Sequence, residues 1–335
     1  MQDQAILSRR SILRRGALTA SLPLAAPFLA TGFAARPARA AIDTPALSQP
    51  GWYRFAIGDI EATVMSDGPI NIGASQEHFP QADPEAIEQV MEDAFLPAAP
   101  VIIEQNALIL RTGDRQVLID TGTGELDIFG DETGRLMDNL AAAGFDPAAF
   151  TDIALTHAHP DHCFGLMAPD GTPHFPEATV HIAEAEFDFW TDEALLGAGG
   201  MMAAMAEGAR QNLLPLRERI SFVEDGQEVA PGIQALATPG HTVGHTCFVI
   251  TSGEESCLNI GDVAHHHAVS FRKPEWAFSF DIDPEEGARS RMRILDMLAS
   301  DGMQVIGYHY PFPGIGHVRR ADEGFRYVPK PLRHG

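Results

Sequence analysis

Cysteine is scarce in this sequence, which excludes one common way of stabilising a fold. The 335 residues include three cysteines, Cys163, Cys247 and Cys257, and an odd number gives no disulfide framework. Cys247 and Cys257 flank a predicted turn at residues 252–255, but a turn centred there pairs Cys257 with Ile250. We therefore expect three small buried thiols.

Basic residues and long apolar runs are also few. Lys and Arg total 23 against 46 Asp and Glu, and residues 1–40 hold six of the arginines and one aspartate. Without that segment 17 basic and 45 acidic residues remain, a net charge of −28. Such a charge disfavours nucleic acid as a partner and favours neutral or cationic small molecules; the alternative, and the commoner reason for such a charge, is solubility alone. No run beyond residue 40 is long enough to span a bilayer, so we expect no stable membrane insertion.

The first 40 residues have the order of a cleaved export signal. Arg9-Arg10 precedes an apolar stretch from about Gly16 to Ala30, and the small-x-small sequence Ala38-Arg39-Ala40 follows. The arginine pair indicates the twin-arginine route, which would place the mature chain in the periplasm or outside the cell. The alternative is a basic N-terminus without structure.

Strand and helix patterns alternate through the rest of the chain. Residues 41–51 read as a linker, and strand patterns then precede helix patterns twice over. The order predicts an α/β fold of four layers (αββα), with two facing mixed sheets and helices outside. We expect a single domain at residues 52–335.

Three helix ends are marked by capping residues. Asp83-Pro84 and Asp283-Pro284 each combine an N-cap aspartate with a proline at the first helical position. A third helix, beginning near Thr133, is predicted to end at Gly144, because glycine adopts the left-handed conformation of a C-cap.

Ligand-type side chains are concentrated in one hexapeptide, His157-Ala158-His159-Pro160-Asp161-His162, which follows a short apolar strand pattern. In extended backbone His157 and His159 point the same way, so both rings can reach one ion at about 2.0–2.1 Å. The proline then ends the strand direction, and Asp161 and His162 point to a neighbouring position. The hexapeptide can thus serve two ions.

Three further candidate ligands follow strand patterns later in the chain. His241 lies in a Gly-Pro loop and is the third candidate for the first ion, while His245 is expected to form a hydrogen bond instead. Asp262 is a carboxylate at the end of an apolar strand, a costly placement unless it binds a cation. Its two oxygens can bridge ions about 3.5–4 Å apart. His309 would complete the second ion.

This pattern of residues resembles the metallo-β-lactamase fold superfamily, whose motif is His-x-His-x-Asp-His followed by His, Asp and His. The resemblance implies two divalent ions, with zinc expected and manganese, cobalt or iron as alternatives. It implies a metal-bridging hydroxide as the nucleophile, with Asp161 or Asp262 taking the proton. Asp120, in Asp120-Thr121-Gly122, would orient the metal-binding histidines from behind.

Several segments are similar to the methyl parathion hydrolase subfamily. They include residues 309–317, residues 261–271 and residues 324–329. The likeness implies a hydrolase of organophosphate triesters, lactones or esters, a homodimer, and a leaving-group pocket lined by Phe129 and Trp190. Core packing is the alternative role for each aromatic side chain.

One departure from that subfamily is the triplet His265-His266-His267, where its members are more apolar. We expect one of the three, His266, to line the pocket. Two other activities use the same ligands: thioester hydrolysis of the glyoxalase II type, and iron-dependent oxidation of the sulfur dioxygenase type. The site is therefore better defined by the sequence than the substrate.

Overall fold

The computed structural model describes residues 49–125 and 129–333. The predicted export signal at residues 1–40 lies outside them and stays a prediction. The strands, in chain order, are β1 Trp52–Ile57, β2 Ile60–Ser66, β3 Ile70–Gly73, β4 Val101–Ile103, β5 Asn106–Thr112, β6 Arg115–Ile119, β7 Asp152–Ala154, β8 Thr179–Ala183, β9 Ile220–Val223, β10 Glu228–Ala230, β11 Ile233–Ala237, β12 Thr246–Ser252, β13 Glu255–Asn259, β14 Gln304–Ile306, β15 Ile315–Arg320 and β16 Phe325–Pro329.

The α-helices of the described residues lie between these strands. They are α1 Ser75–His78, α2 Pro84–Asp93, α3 Leu136–Ala143, α4 Pro160–Cys163, α5 Glu184–Thr191, α6 Gly200–Leu213, α7 Val269–Arg272 and α8 Pro284–Asp301. None of them combines the length and the apolar character that a membrane span requires.

The strands form two seven-stranded mixed sheets and one small two-stranded sheet. The first sheet has the order β1-β2-β5-β6-β7-β8-β9, with parallel pairing from β6 to β9. The second has the order β10-β11-β12-β13-β14-β15-β16, and only β13 and β14 are parallel. β3 pairs with β4 beside these sheets. The prediction of two large mixed sheets is confirmed.

Alternate residues of the first sheet face two different cores. Leu108 and Leu110 of β5 pack with Ile233 and Phe248 of the second sheet, so the two sheets face each other. Ile109, between those leucines, points the opposite way into a core that contains α3, α5 and α6.

The second sheet has a helical layer of its own. Ile294, Leu295 and Leu298 of α8 pack with Leu258 of β13 and Val305 of β14. Helices therefore cover both outer faces of the sheet pair, and the predicted αββα sandwich is confirmed.

Two predicted N-caps are confirmed, and one predicted helix start is wrong. Asp83 accepts from Glu85 N and Ala86 N, and Asp283 accepts from Glu286 N. The third helix, α3, ends at Gly144 as predicted (φ 83°) but begins at Leu136, three residues after the predicted start.

The late start of α3 has a distant cause. Asp67, which follows β2, accepts a hydrogen bond from Leu136 N at 2.7 Å, and its main-chain carbonyl accepts from Arg135 N. The residue that caps the helix is therefore 69 positions away in the sequence. The local pattern around Thr133 contains no trace of this contact.

The three cysteines are buried and free, as predicted. In the hairpin of β12 and β13, Ile250 is the cross-strand partner of Cys257, in the predicted register. Burial raises the pKa of the Cys247 and Cys257 thiols to about 12, which keeps both protonated and unreactive.

Candidate metal centre

The hexapeptide lies at the end of a central strand of the first sheet. It follows β7, and His159 is the N-cap of the short helix α4. Asp161 and His162 therefore stand on a helical turn, while His157 precedes it in the loop. This change of direction after β7 separates the two pairs of ligands.

The other candidate ligands emerge from the second sheet. The loop that carries His241 connects β11 to β12, and His309 follows β14. Asp262 comes three residues after β13, which is the parallel neighbour of β14. Because parallel neighbours end at the same edge, Asp262 and His309 lie side by side, facing the hexapeptide of the first sheet.

The first cluster consists of three imidazoles. His241 Nε2 lies 2.9 Å from His159 Nδ1 and 3.3 Å from His157 Nε2. All three side chains are buried. Three nitrogen atoms converging in this way are the geometry of a tetrahedral metal site that keeps one position open.

The second cluster consists of Asp161, His162 and His309. Asp161 Oδ2 lies 3.4 Å from His162 Nε2 and 3.5 Å from His309 Nε2. The three ligand atoms lie within 4.8 Å of one another. Tyr308 Oη donates a hydrogen bond to the main-chain carbonyl of Asp161, which fixes the start of α4 against the strand end that carries His309.

Asp262 lies between the two clusters. Its Oδ2 is 3.1 Å from His309 Nε2 in one cluster and 3.6 Å from His241 Nε2 in the other. Its Oδ1 is 3.3 Å from His162 Nε2. The structure thus brings together all seven residues predicted as ligands, with Asp262 between the two clusters.

Three of the histidines are oriented by acceptors on their outer nitrogen. The pairs are His162 Nδ1 with Asp120 Oδ2 at 2.9 Å, His241 Nδ1 with Asp281 Oδ1 at 3.1 Å, and His309 Nδ1 with the carbonyl of Glu104 at 2.7 Å. A carboxylate or carbonyl oxygen only accepts, so each Nδ1 carries the proton. Each Nε2 lone pair then points inward, the form in which imidazole binds a metal.

This arrangement sets acceptors against acceptors. The lone pairs of His162 and His309 at Nε2 face the oxygens of Asp262, and His162 Nε2 and Asp262 Oδ1 are buried without a hydrogen-bond partner among the described residues. Either both rings take a second proton or a cation lies between the acceptors. The donor set of imidazole nitrogens and carboxylate oxygens fits a divalent metal.

The carboxylates of the second cluster also favour a positive charge at this position. Burial favours the neutral form of His162, but the carboxylates of Asp262, Asp161 and Asp120 raise its pKa well above the usual range. In the first cluster burial instead lowers the pKa of His157 and His159 well below that range. These two rings are therefore neutral and ready to bind a metal.

The family follows from a comparison of the sequence with family models. Residues 103–303 match the model of the metallo-beta-lactamase superfamily. The chain belongs to this superfamily. The match covers the hexapeptide, the loop with His241, and Asp262. His309 lies beyond its end.

Lactonases are among the relatives of this metallo-β-lactamase-fold chain. An N-acyl homoserine lactonase of a Bacillus species is 26% identical over 239 residues, covering 66% of this chain and 84% of that protein. The dizinc quorum-quenching lactonase AidC, solved with a product, is 27% identical, with a TM-score of 0.78 over 85% of this chain and 99% of the other. The hydrolase AbOPH of the β-lactamase superfamily is 29% identical, with a TM-score of 0.79 over 86% and 100%.

These likenesses and the two ligand clusters together support a metal-dependent hydrolase of the metallo-β-lactamase fold that binds divalent metal. These three relatives are two lactonases and a hydrolase, so cleavage by water is the chemistry they share.

Asp120 lies where the resemblance implies, behind the metal-binding histidines. Besides contacting His162, its Oδ1 accepts from Thr156 N at 2.8 Å, at the start of the loop that carries the hexapeptide. Asp120 has a positive φ of 63°, which turns the chain sharply after β6 and directs the carboxylate under the site. His245 forms the predicted hydrogen bond, its Nε2 accepting from Asp262 N at 2.9 Å.

Two further carboxylates support the metallo-β-lactamase site but were not found from the sequence. Asp281 holds His241 and is itself paired with the buried Arg291 at 3.0 Å. Its sequence signal is weak, an aspartate in an apolar segment just before α8. Glu186 is an acidic residue on the apolar face of α5, beside Trp190, and this misplaced charge is the signal that could have revealed it.

Glu186 connects the two loops that carry the first cluster. Its carboxylate accepts from Ala158 N at 3.0 Å and from Gly244 N at 2.8 Å. Trp190 Nε1 donates to the same carboxylate at 2.7 Å. Ala158 lies between two ligand histidines, and Gly244 lies in the loop with His241. Glu186 therefore fixes the distance between the two loops that carry the first cluster.

A cavity of about 380 Å³ lies beside the two clusters. Five of the predicted ligands line it: His159, Asp161, His241, Asp262 and His309. Most of the remaining wall is apolar and includes Ile70, Ile103, Phe129, Phe164, Met205 and Phe278. A polar floor of ligand atoms within apolar walls is the usual form of a small-molecule site.

Of the three residues predicted for the pocket, Phe129 lines this cavity, and Trp190 and His266 do not. Trp190 is fully buried, bonded to Glu186, and contacts His159 edge-on from outside the cavity. His266 Nδ1 accepts from Ala268 N and Val269 N at the start of α7. The residue of the histidine triplet that lines the cavity is His265.

Proposed function

We propose that this chain is a dinuclear metal-dependent hydrolase that cleaves lactones and other neutral esters. The single observation that carries this proposal is the apolar cavity whose polar floor consists of the two clusters sharing Asp262. The lactonases among its relatives support lactones as the first substrate class.

The protein side of the reaction is binding, orientation and proton transfer. Two divalent ions, when bound, would acidify a water molecule and polarise the oxygen of the substrate. Asp161 and Asp262 both line the cavity, and one of these carboxylates would take the proton that the water releases. Burial alone would raise the pKa of Asp161, but His162 and His309 help to hold it at about 2, so the carboxylate is ionised.

The apolar walls determine which substrates enter. Ile70, Phe129 and Phe278 offer no charged partner, so an uncharged substrate with an apolar substituent fits this cavity. The formal net charge of the chain, −23, repels anionic esters.

Phosphotriesters are the second candidate substrates. They are neutral, carry an electrophilic centre with a polar oxygen, and can place an aromatic leaving group against Phe129. The likeness of the C-terminal residues 309–317 to the methyl parathion hydrolase subfamily favours this class. Zinc is the proposed metal, and an iron-loaded chain with oxidoreductase activity would contradict this assignment.

One comparison on one preparation tests the proposal. We expect kcat/KM to be highest for a lactone with an alkyl chain, lower for an aryl ester, and measurable for a dialkyl aryl phosphotriester. Metal content and oxygen uptake should be measured on the same sample. Hydrolysis of none of the three substrates, or oxygen uptake without hydrolysis, would contradict the proposed function.

A further inference from the structure

His265 is a polar side chain of the cavity wall. It is not one of the predicted metal ligands, and its ring forms no hydrogen bond within the described residues. Apart from the predicted ligands, the polar lining consists of His265, His78 and Asn71. His78 Nδ1 pairs with Ser279 Oγ at 2.9 Å and its Nε2 with the carbonyl of Ile72. Asn71 Oδ1 accepts from Gly73 N, and the residue is exposed.

Both ring nitrogens of His265 are buried without a hydrogen-bond partner in the described part of the chain. The side chain is 2% exposed. A buried polar group left without a partner destabilises the fold, so such a group in a folded protein calls for a partner supplied from elsewhere. A substrate in the cavity can supply it.

The orientation of the His265 ring is fixed by packing. It stacks on Phe278 with ring centroids 3.9 Å apart and an interplanar angle of 20°. The edge of the ring lies beside the ligand clusters, with Nε2 at 3.3 Å from Asp262 Oδ2. Stacking holds the ring in one orientation without a hydrogen bond. Its nitrogen atoms therefore stay free to bind a substrate in a fixed geometry.

We propose that His265 is a catalytic residue, which donates an N–H hydrogen bond to the substrate oxygen that becomes negative when the carbonyl carbon or phosphorus is attacked. An imidazole carries at least one N–H in either protonation state, so this role does not depend on a proton transfer. The inference rests on the proposed function, because it assigns a role in that reaction.

Two kinds of substitution separate this role from a merely structural one. His265→Leu removes the donor at similar volume, and we expect it to lower kcat about 10²-fold with little change in KM, since the bond forms in the transition state. His265→Gln and His265→Asn place an amide N–H near Nε2 and Nδ1, and one of them should recover most of the loss. Metal content should equal that of the wild type in all three.

The matched control is His267→Leu. His267 belongs to the same triplet but lines a different groove, beside Tyr327. We expect unchanged kcat and KM for this variant. A thermal melt of each variant shows whether it is folded.

Three results would overturn the role of His265. They are a His265→Leu variant within about threefold of wild-type kcat, equal losses in all three His265 variants, or a loss of metal that accounts for the loss of activity. The last would make His265 a metal ligand, since it clusters with His241 and Asp262. Absence of hydrolysis by the wild type would instead contradict the proposed function itself.

Discussion

Replacement of Asp262 by asparagine should lower kcat/KM at least about 10³-fold, a loss of about 4 kcal/mol in transition-state stabilisation. Asp262 lies between the two clusters, with its carboxylate oxygens at 3.1–3.6 Å from His309, His162 and His241. Asparagine keeps the size of the side chain but removes the negative charge and one of the two acceptor atoms. Bound metal per chain should fall together with activity.

The control for this substitution is Asp188→Asn, the same change on the exposed side of α5. It should leave metal content and kinetics unchanged. An Asp262→Asn variant that keeps two ions and more than about a tenth of wild-type kcat/KM would show that the carboxylate does not bridge the clusters.

Replacement of His157 by alanine should abolish hydrolysis of lactones and phosphotriesters alike, by about 10³-fold or more. His157 Nε2 faces His241 in the first cluster and lies 3.8 Å from Asp262 Oδ2. The substitution removes one of the three imidazoles of the first cluster. The second cluster then has no complete cluster beside it. The chain should still fold, because the sheets on either side keep their cores.

Circular dichroism and a cooperative thermal melt would check that His157→Ala is folded. His317→Ala, an exposed histidine on β15, is the matched control and should behave as the wild type. Substantial hydrolysis by folded His157→Ala would remove the first cluster from the mechanism.

The ligands could be predicted from the sequence because each follows a strand pattern. His157, His241, Asp262 and His309 stand where apolar runs give way to loops, and strand ends of two facing sheets meet at one edge. Their residue types, histidine and aspartate, then indicate metal binding. The register of β12 and β13 was predictable for a similar reason, since the position of the turn determines it.

The supporting residues could not be predicted in this way. Asp281 reaches His241 from 40 positions away, and Asp67 caps α3 from 69 positions away. Such contacts depend on how the layers pack, and they leave no local periodicity. Trp190 illustrates the same difficulty: an aromatic residue near the site can face the cavity or the core, and Glu186 determines which.

In the histidine triplet, a shift of one position along the chain changes what the side chain contacts. His265, His266 and His267 are identical in type and consecutive, yet each side chain has different contacts. His265 lines the cavity, His266 caps α7 through its ring nitrogen, and His267 lies in another groove. The start of α7 fixes these directions, and the sequence pattern around Val269 gave no indication of that short helix.

The central claim is that two metal ions, held by clusters sharing Asp262, make this chain a hydrolase. Its most direct test is a titration of chelator-treated protein with zinc, following lactone hydrolysis and bound metal per chain in the same samples. We predict no hydrolysis without metal, and full activity at two ions per chain. Hydrolysis by the metal-free chain, or full activity at one ion per chain, would contradict the claim.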